Sequence, residues 1–232
     1  AITPGGVRMK RRLALVLLIL GLTAGPAGAQ MLFVDWIAQV QINFLFGGSS
    51  ATTYAGAAEG WLDPVDANPA TNPAAEALGY IYCVDLSNLA ADRSQYDVSV
   101  QYDDTGWLTP VGDGDDLRRP DGLWRAAWLA NRFSNEANSN SKRFALNVAI
   151  WEAAYGDYFT YQSGLTSSQE AHMNNYLAEW NGQQSMSVRW FDNDTPGEYH
   201  QDFIQGVPEP TSLLLLGGGL LGTALLRRRR QS

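Results

Sequence analysis

The sequence predicts an α+β fold: an antiparallel, barrel-like β-sheet core with an inserted block of three helices. Two observations carry this prediction. Segments with strand-like patterning lie on both sides of residues 120–182, and three helical patterns fall inside that range. Strands, then helices, then strands again are typical of α+β domains. A signal helix at the N-terminus and a hydrophobic helix at the C-terminus are expected to flank this core.

Five segments outside the helical block have strand-like sequences. Residues 96–102 (YDVSVQY) alternate between apolar and polar side chains, which indicates a half-buried strand. The polar stretch 62–77 contains three prolines and is predicted to be a loop. The predicted strands are 51–57, 79–85, 96–102, 185–191 and 199–205.

Three helices are predicted between residues 120 and 182. The first, DGLWRAAWLANRF, begins after Pro120, and the second, SKRFALNVAIWEAAYG, follows a break at 138–140. The third begins at Ser167, where Glu170 completes a capping box, and ends at the Asn-Gly pair 181–182.

One polar residue of the second helix falls among its apolar side chains. On a helical wheel Asn147 shares an arc with Val148 and Trp151, away from Glu152 on the solvent face. A buried amide without partners costs about 1–3 kcal/mol. Asn147 is therefore expected to bond the backbone of a neighbouring loop.

The N-terminus has the pattern of a signal peptide. Basic residues at 10–12 precede an apolar run of ten residues, 13–22, and Ala27-Gly28-Ala29 supplies the small residues that a signal peptidase reads. Residues 1–8 precede the expected start at Met9. Cleavage is expected before Gln30, so signal peptidase is a predicted partner and the mature chain is predicted to be exported.

The C-terminus combines a short apolar run with a basic end. Residues 211–226, sixteen in all, are apolar or small, whereas a spanning helix needs about 20 residues. Arg227, Arg228, Arg229 and Arg230 would hold the end of the chain on the cytoplasmic side. The run is predicted to hold the chain transiently in the inner membrane, as the removable tail of a sorting signal does.

The last 26 residues resemble the PEP-CTERM sorting signal of Gram-negative bacteria. Val207-Pro208-Glu209-Pro210, followed by the apolar run and the arginine cluster, carries the resemblance. The resemblance implies that a membrane protease, exosortase, recognises the motif and processes the tail. It also implies a place at the cell surface or in the exopolysaccharide matrix.

The composition of the segment between the two signals narrows the function. Residues 30–207 are long enough for one domain and contain eight basic and 23 acidic residues, a net charge of −15. Such a charge repels nucleic acid and anionic lipid. It suits divalent cations, basic surfaces or a hydrated polysaccharide. Phosphate-binding loops, nucleophile elbows and metalloprotease motifs do not occur in the sequence, so no enzymatic activity is predicted.

A second resemblance involves the single cysteine, Cys83. The segments YCVDL (82–86) and ALNVAIWEAAY (145–155) resemble thioester domains of bacterial surface adhesins. The resemblance implies a thioester between a cysteine and a glutamine that captures an amine of the target. The glutamine of the Q-x-A-I-W motif matches Asn147, which is one methylene shorter. Cys83 and Asn147 are therefore a candidate degenerate thioester pair, and Cys83 is expected to be a buried thiol.

An acidic loop offers a weak candidate cation site. Asp113, Asp115 and Asp116 lie in a Gly- and Pro-rich stretch, and closely spaced carboxylates suit Ca²⁺. Trp124 stands where an EF-hand would have its bidentate glutamate. A solvated loop is the preferred interpretation, so no cofactor is predicted.

The sequence thus predicts three segments: 1–29, the residues before the start plus a signal peptide; 30–206, an extracellular domain; and 207–232, the sorting signal. The favoured function is a non-enzymatic adhesion or structural role at the cell surface or in the matrix, with exopolysaccharide or a surface ligand as partner. Two alternatives remain open: a covalent adhesin that uses a Cys83 thioester, and a secreted hydrolase with paired carboxylates.

Overall fold

The computed structural model describes residues 29–86, 93–102, 107, 118–192, 194–195, 198–199 and 201–207. The predicted signal helix and the hydrophobic C-terminal run lie outside the described residues.

A long hairpin forms one side of the main sheet. β1 (Ala29–Phe46) and β2 (Ser49–Asp63) pair antiparallel along almost their whole length. Gly47 and Gly48 form the turn with φ values of 57° and 86°, which glycine adopts at little steric cost. β1 was not among the predicted strands, although it is the longest of the described strands.

The pairings of the main sheet return to their starting strand. The sheet has the order β2-β3-β9-β6-β4-β1-β5, and an additional β1–β2 pairing links its two sides. All of its described pairings are antiparallel, and β1 pairs with β4 through its first residues and with β5 through its last. The remaining strands are β3 (Glu76–Cys83), β4 (Ser94–Gln101), β5 (Phe159–Ser163), β6 (Arg189–Asp192), β7 (Asp194–Thr195), β8 (Glu198–Tyr199) and β9 (Phe203–Gln205).

The three predicted helices are present, with small shifts at their ends. They are α1 (Gly122–Phe133), α2 (Asn140–Tyr155) and α3 (Ser167–Trp180), and a 3-10 turn, Gly156–Tyr158, follows α2. The capping box of α3 uses Thr166 and Gln169, one residue earlier than predicted. Three helices beside an antiparallel sheet fit the predicted α+β class.

The second helix lies at the centre of the domain. α2 packs against α1, α3, β2 and β5, and its residues 145–151 and 153–155 are buried. Glu152, predicted to lie on the solvent face, is the one residue of 145–155 that is not buried, but it is only partly exposed. Desolvation raises the pKa of the Glu152 carboxyl to about 7.

The predicted strands differ from the observed ones mainly in length. Residues 185–188 precede β6 rather than belonging to it, and the segment 199–205 contains the short strand β9. Residues 64–75 connect β2 to β3, largely as predicted for a loop. Within the described part of the chain, no helix is both long and apolar enough to cross a membrane.

Candidate functional site

Asn147 connects α2 to two strands of the sheet. Its Nδ2 donates to the backbone carbonyl of Cys83 at 2.9 Å, and its Oδ1 accepts the backbone N–H of Gly56 at 2.9 Å. The side chain is completely buried, and both bonds go to backbone groups, as expected for a structural amide. The structure thus brings Asn147 and Cys83 together, but Asn147 contacts the backbone carbonyl oxygen of Cys83 and not its sulfur. The amide holds the end of β3 against α2.

Cys83 ends β3 with a fully buried thiol. The sulfur donates to the carbonyl of Asp85 at 3.1 Å. Burial raises the pKa of the Cys83 thiol well above its ordinary value, and the charges of Asp85 and Asp202 raise it further. The thiol is therefore protonated at neutral pH, unlike that of an exposed redox cysteine.

The Gln201 side chain lies beside the Cys83 thiol. Its Nε2 donates to the same Asp85 carbonyl at 3.1 Å, and a hydrogen bond between the Gln201 side chain and the thiol partly offsets the rise of the Cys83 pKa. Gln201 is 4% exposed. A carboxamide of the length that Asn147 lacks therefore lies beside the sulfur.

The antiparallel register of β3 and β9 explains why Gln201 lies beside Cys83. Cys83 pairs with Phe203, and the Val84 N–H donates to the Asp202 carbonyl at 3.0 Å, which continues the β3–β9 pairing by one residue. Residues of the same parity point to the same face of a sheet, and diagonal neighbours across two strands lie within side-chain reach. Gln201, two residues before Phe203, is such a diagonal neighbour of Cys83.

A buried ion pair holds the segment that carries Gln201. Asp202 accepts from the Arg118 guanidinium at 3.0 Å, and both side chains are almost completely buried. The same guanidinium lies 4.5 Å from the ring centroid of Trp107, and the Trp107 indole donates to the carbonyl of Arg119 at 3.0 Å. These contacts fix the residue next to Gln201 inside the domain.

The end of α2 holds the other side of the site. The backbone N–H of Leu86 donates to the Tyr155 hydroxyl at 3.3 Å. Residues 83–86 are thus bonded to α2 at both Asn147 and Tyr155. The segment 83–86 carries the Cys83 thiol, and the neighbouring segment 201–203 carries the Gln201 carboxamide. A thiol and a carboxamide held together in this way are the components of an internal acyl-transfer site.

The other predicted site residues lie mostly outside the described part of the chain. Asp113, Asp115 and Asp116 fall there, as do Pro208, Glu209, Pro210 and the arginines Arg227, Arg228, Arg229 and Arg230. Within the described ranges, no group of three or more His, Cys, Asp or Glu side chains is arranged to hold a metal ion. Val207 is described, and its N–H donates to the Asn131 carboxamide at 2.6 Å.

Sequence reasoning did not identify Gln201. The predicted strand 199–205 contains it, but nothing local marks which strand it pairs with or in which register. The pairing of that strand with 79–85 was the missing information.

A family model for the PEP-CTERM protein-sorting motif matches residues 206–230. That range contains the Pro-Glu-Pro triplet, the apolar run and the four arginines. No curated protein and no solved structure matches the chain, so the resemblance to thioester domains gains no support from them. The motif supports an exported, surface-directed protein with exosortase as its processing partner.

Proposed function

We propose that the chain is an exosortase-sorted protein whose domain, residues 30–206, has a non-enzymatic adhesion or structural role at the cell surface or in the exopolysaccharide matrix. The match of residues 206–230 to the PEP-CTERM motif is the observation that carries this proposal. The net charge of −15 over residues 30–207 agrees with a hydrated, polysaccharide-rich surrounding.

Replacement of Pro208 and Glu209 with alanine tests the sorting step. In the native host the variant should keep its tail and remain in the membrane fraction, because the triplet that exosortase reads is gone. A matched control, Ser212→Ala, alters the tail outside the triplet and should be processed normally. Normal processing of the Pro208 and Glu209 variant would refute the proposal.

The geometry around Cys83 favours a second candidate function, covalent attachment through an internal thioester. The pair of residues that supports this candidate differs from the sequence-based pair in one member, because Gln201 rather than Asn147 presents a carboxamide to the thiol. Asn147 instead bonds the backbone on both sides. We therefore assign the acyl donor to Gln201.

The chemistry needs no further reactant. The Cys83 sulfur attacks the Gln201 Cδ, the carbon–nitrogen bond breaks, and ammonia leaves with the thiol proton. A primary amine of a target then attacks the thioester carbonyl, which leaves an amide on Gln201 and returns the Cys83 thiol.

Intact mass tests this candidate directly. The thioester removes one ammonia, so the wild-type mass should be about 17 Da below the sequence mass. Methylamine should open the thioester and leave the mass about 14 Da above the sequence mass, because it adds about 31 Da. Gln201→Glu should abolish the deficit. Gln162→Glu, at an exposed glutamine, should keep it. A wild-type protein of full sequence mass would reject the thioester and leave the sorting proposal intact.

A further inference from the structure

The last described residues are held on α1. The Val207 N–H donates to Asn131 Oδ1 at 2.6 Å. Gly206 packs against the same helix so closely that a Cβ there would lie 2.5 Å from the carbonyl oxygen of Ala130 and 2.6 Å from Ser134 Oγ. The chain therefore leaves the domain from a fixed point on α1.

The connection from this point to the apolar run is very short. Only Pro208, Glu209 and Pro210 separate Val207 from the run at 211–226. Three extended residues span about 10 Å, while the interfacial layer on each side of the hydrocarbon core is about 5–8 Å thick. While the run is held in a membrane, the surface around Val207 must lie at the lipid interface.

The residues around Val207 suit that position. Asn131 Nδ2 also donates to Ser185 Oγ at 3.0 Å and to the Ser187 carbonyl at 2.6 Å. The segment that contains Met186 and the backbone of Val207 are therefore held by the same side chain. Met186 is 74% exposed. Trp128, Asn131, Arg132 and Ser185 line a shallow cleft of about 170 Å³ in the same surface.

The negative charges of this surface are partly neutralised. Arg132 forms ion pairs with Glu136 and, at 2.7 Å, with Glu179. These three side chains keep one net negative charge of the −15 carried by residues 30–207, so this surface repels anionic lipid only weakly. The Trp128 indole is of a type enriched at membrane interfaces, and Met186 adds an exposed apolar side chain.

We propose that this exit face, defined by Trp128, Asn131, Arg132, Ser185 and Met186, rests on the lipid interface of the membrane that holds the tail before the tail is processed. The inference rests on the proposed sorting function, because it requires that the tail enter the membrane. Its partner is the headgroup region of the bilayer.

Site-directed spin labelling of the full chain in vesicles of phosphatidylethanolamine and phosphatidylglycerol tests the inference. Met186→Cys carries the label on the exit face, and Gly218→Cys reports insertion of the tail. Tyr158→Cys is the matched control, because Tyr158 is 49% exposed and its carbonyl accepts the N–H of Gly47, at the β1–β2 turn. That turn lies at the opposite end of the hairpin from Asp63. Gln205, two residues before Val207, donates to the Leu78 carbonyl near the Asp63 end. Cys83 is fully buried and stays unlabelled in the native protein.

The expected result is a loss of collisions with water-soluble nickel chelate and a gain of collisions with oxygen at 218 and 186, with no change at 158. Lipid contact at 218 with an aqueous label at 186 would overturn this inference alone. An aqueous label at 218 would overturn both the inference and the sorting proposal. Gly206→Ala forces the chain off α1, because its Cβ would clash with that helix. In this variant the label at 186 should return to water, while the label at 218 should stay in lipid. Retention of lipid contact at 186 would also overturn the inference.

Discussion

Replacement of Asn147 with alanine should destabilise the domain strongly, because two buried backbone groups lose their partner. The Gly56 N–H and the Cys83 carbonyl both bond the Asn147 carboxamide at 2.9 Å, and the side chain is fully buried. An unpaired buried donor or acceptor costs about 1–3 kcal/mol. We therefore expect the free energy of unfolding to fall by about 2–6 kcal/mol.

Urea unfolding followed by tryptophan fluorescence measures this change. The matched control is Asn43→Ala, since Asn43 makes side-chain hydrogen bonds to Ser163 and Thr52 at an exposed position. Exposed positions usually change the free energy of unfolding by about 0.5 kcal/mol or less. A fall in the Asn147 variant no larger than that in the Asn43 variant would show that the amide is not a structural bridge.

Two further predictions concern buried charge. Burial raises the pKa of Glu152 from its ordinary value of 4.5 to about 7, so the folded state binds the proton more tightly and the free energy of unfolding should fall as pH rises from about 4.5 to 7. Glu152→Gln should flatten that fall in pH-dependent urea midpoints, and an unchanged profile would contradict the assignment. Arg118→Met leaves the Asp202 carboxylate buried without its cation and should reduce the free energy of unfolding by about 3–5 kcal/mol, which the double change with Asp202→Leu should largely restore in thermal or urea unfolding; equal losses in the single and double variants would argue against an isolated ion-pair effect.

The helices could be predicted from the sequence because their signals are local. A proline or polar break precedes each one, and the Asn-Gly pair at 181–182 ends the third, where Asn181 adopts a left-handed conformation. The observed helix ends and caps differ from the predicted ones by about one residue. Local patterning was less useful for the second half of α2, because a helix that other elements cover on most of its surface needs little polar face.

The end of β1 has the apolar–polar alternation of a strand, although β1 was not among the predicted strands. Val40, Ile42 and Phe44 alternate with polar residues just before the Gly47–Gly48 turn, as expected for a hairpin strand. Its earlier part is less regular: residues 32–34 are all buried, so alternation is lost where both faces are covered. A register shift between Trp36 and Ala38 also interrupts the pattern.

The candidate site could be predicted only in part. Cys83 and Asn147 stood out because one is the only cysteine and the other is an amide on an apolar arc. Their contact through a backbone carbonyl, and the place of Gln201 beside the sulfur, depend on the register of β3 against β9. Register is set by the packing of the whole sheet, so a single sequence does not reveal it.

The position of β9 between β3 and β6 has a consequence for the order of events during secretion. Residues 203–205 pair with both strands, so the sheet cannot close until this stretch, which directly precedes the sorting motif, is in place. A chain that is exported from its N-terminus therefore completes its fold only when its tail is already next in the translocation channel. Folding of the domain and arrival of the processing signal then coincide, and a variant that delays closure of the sheet would present exosortase with an unfolded neighbour.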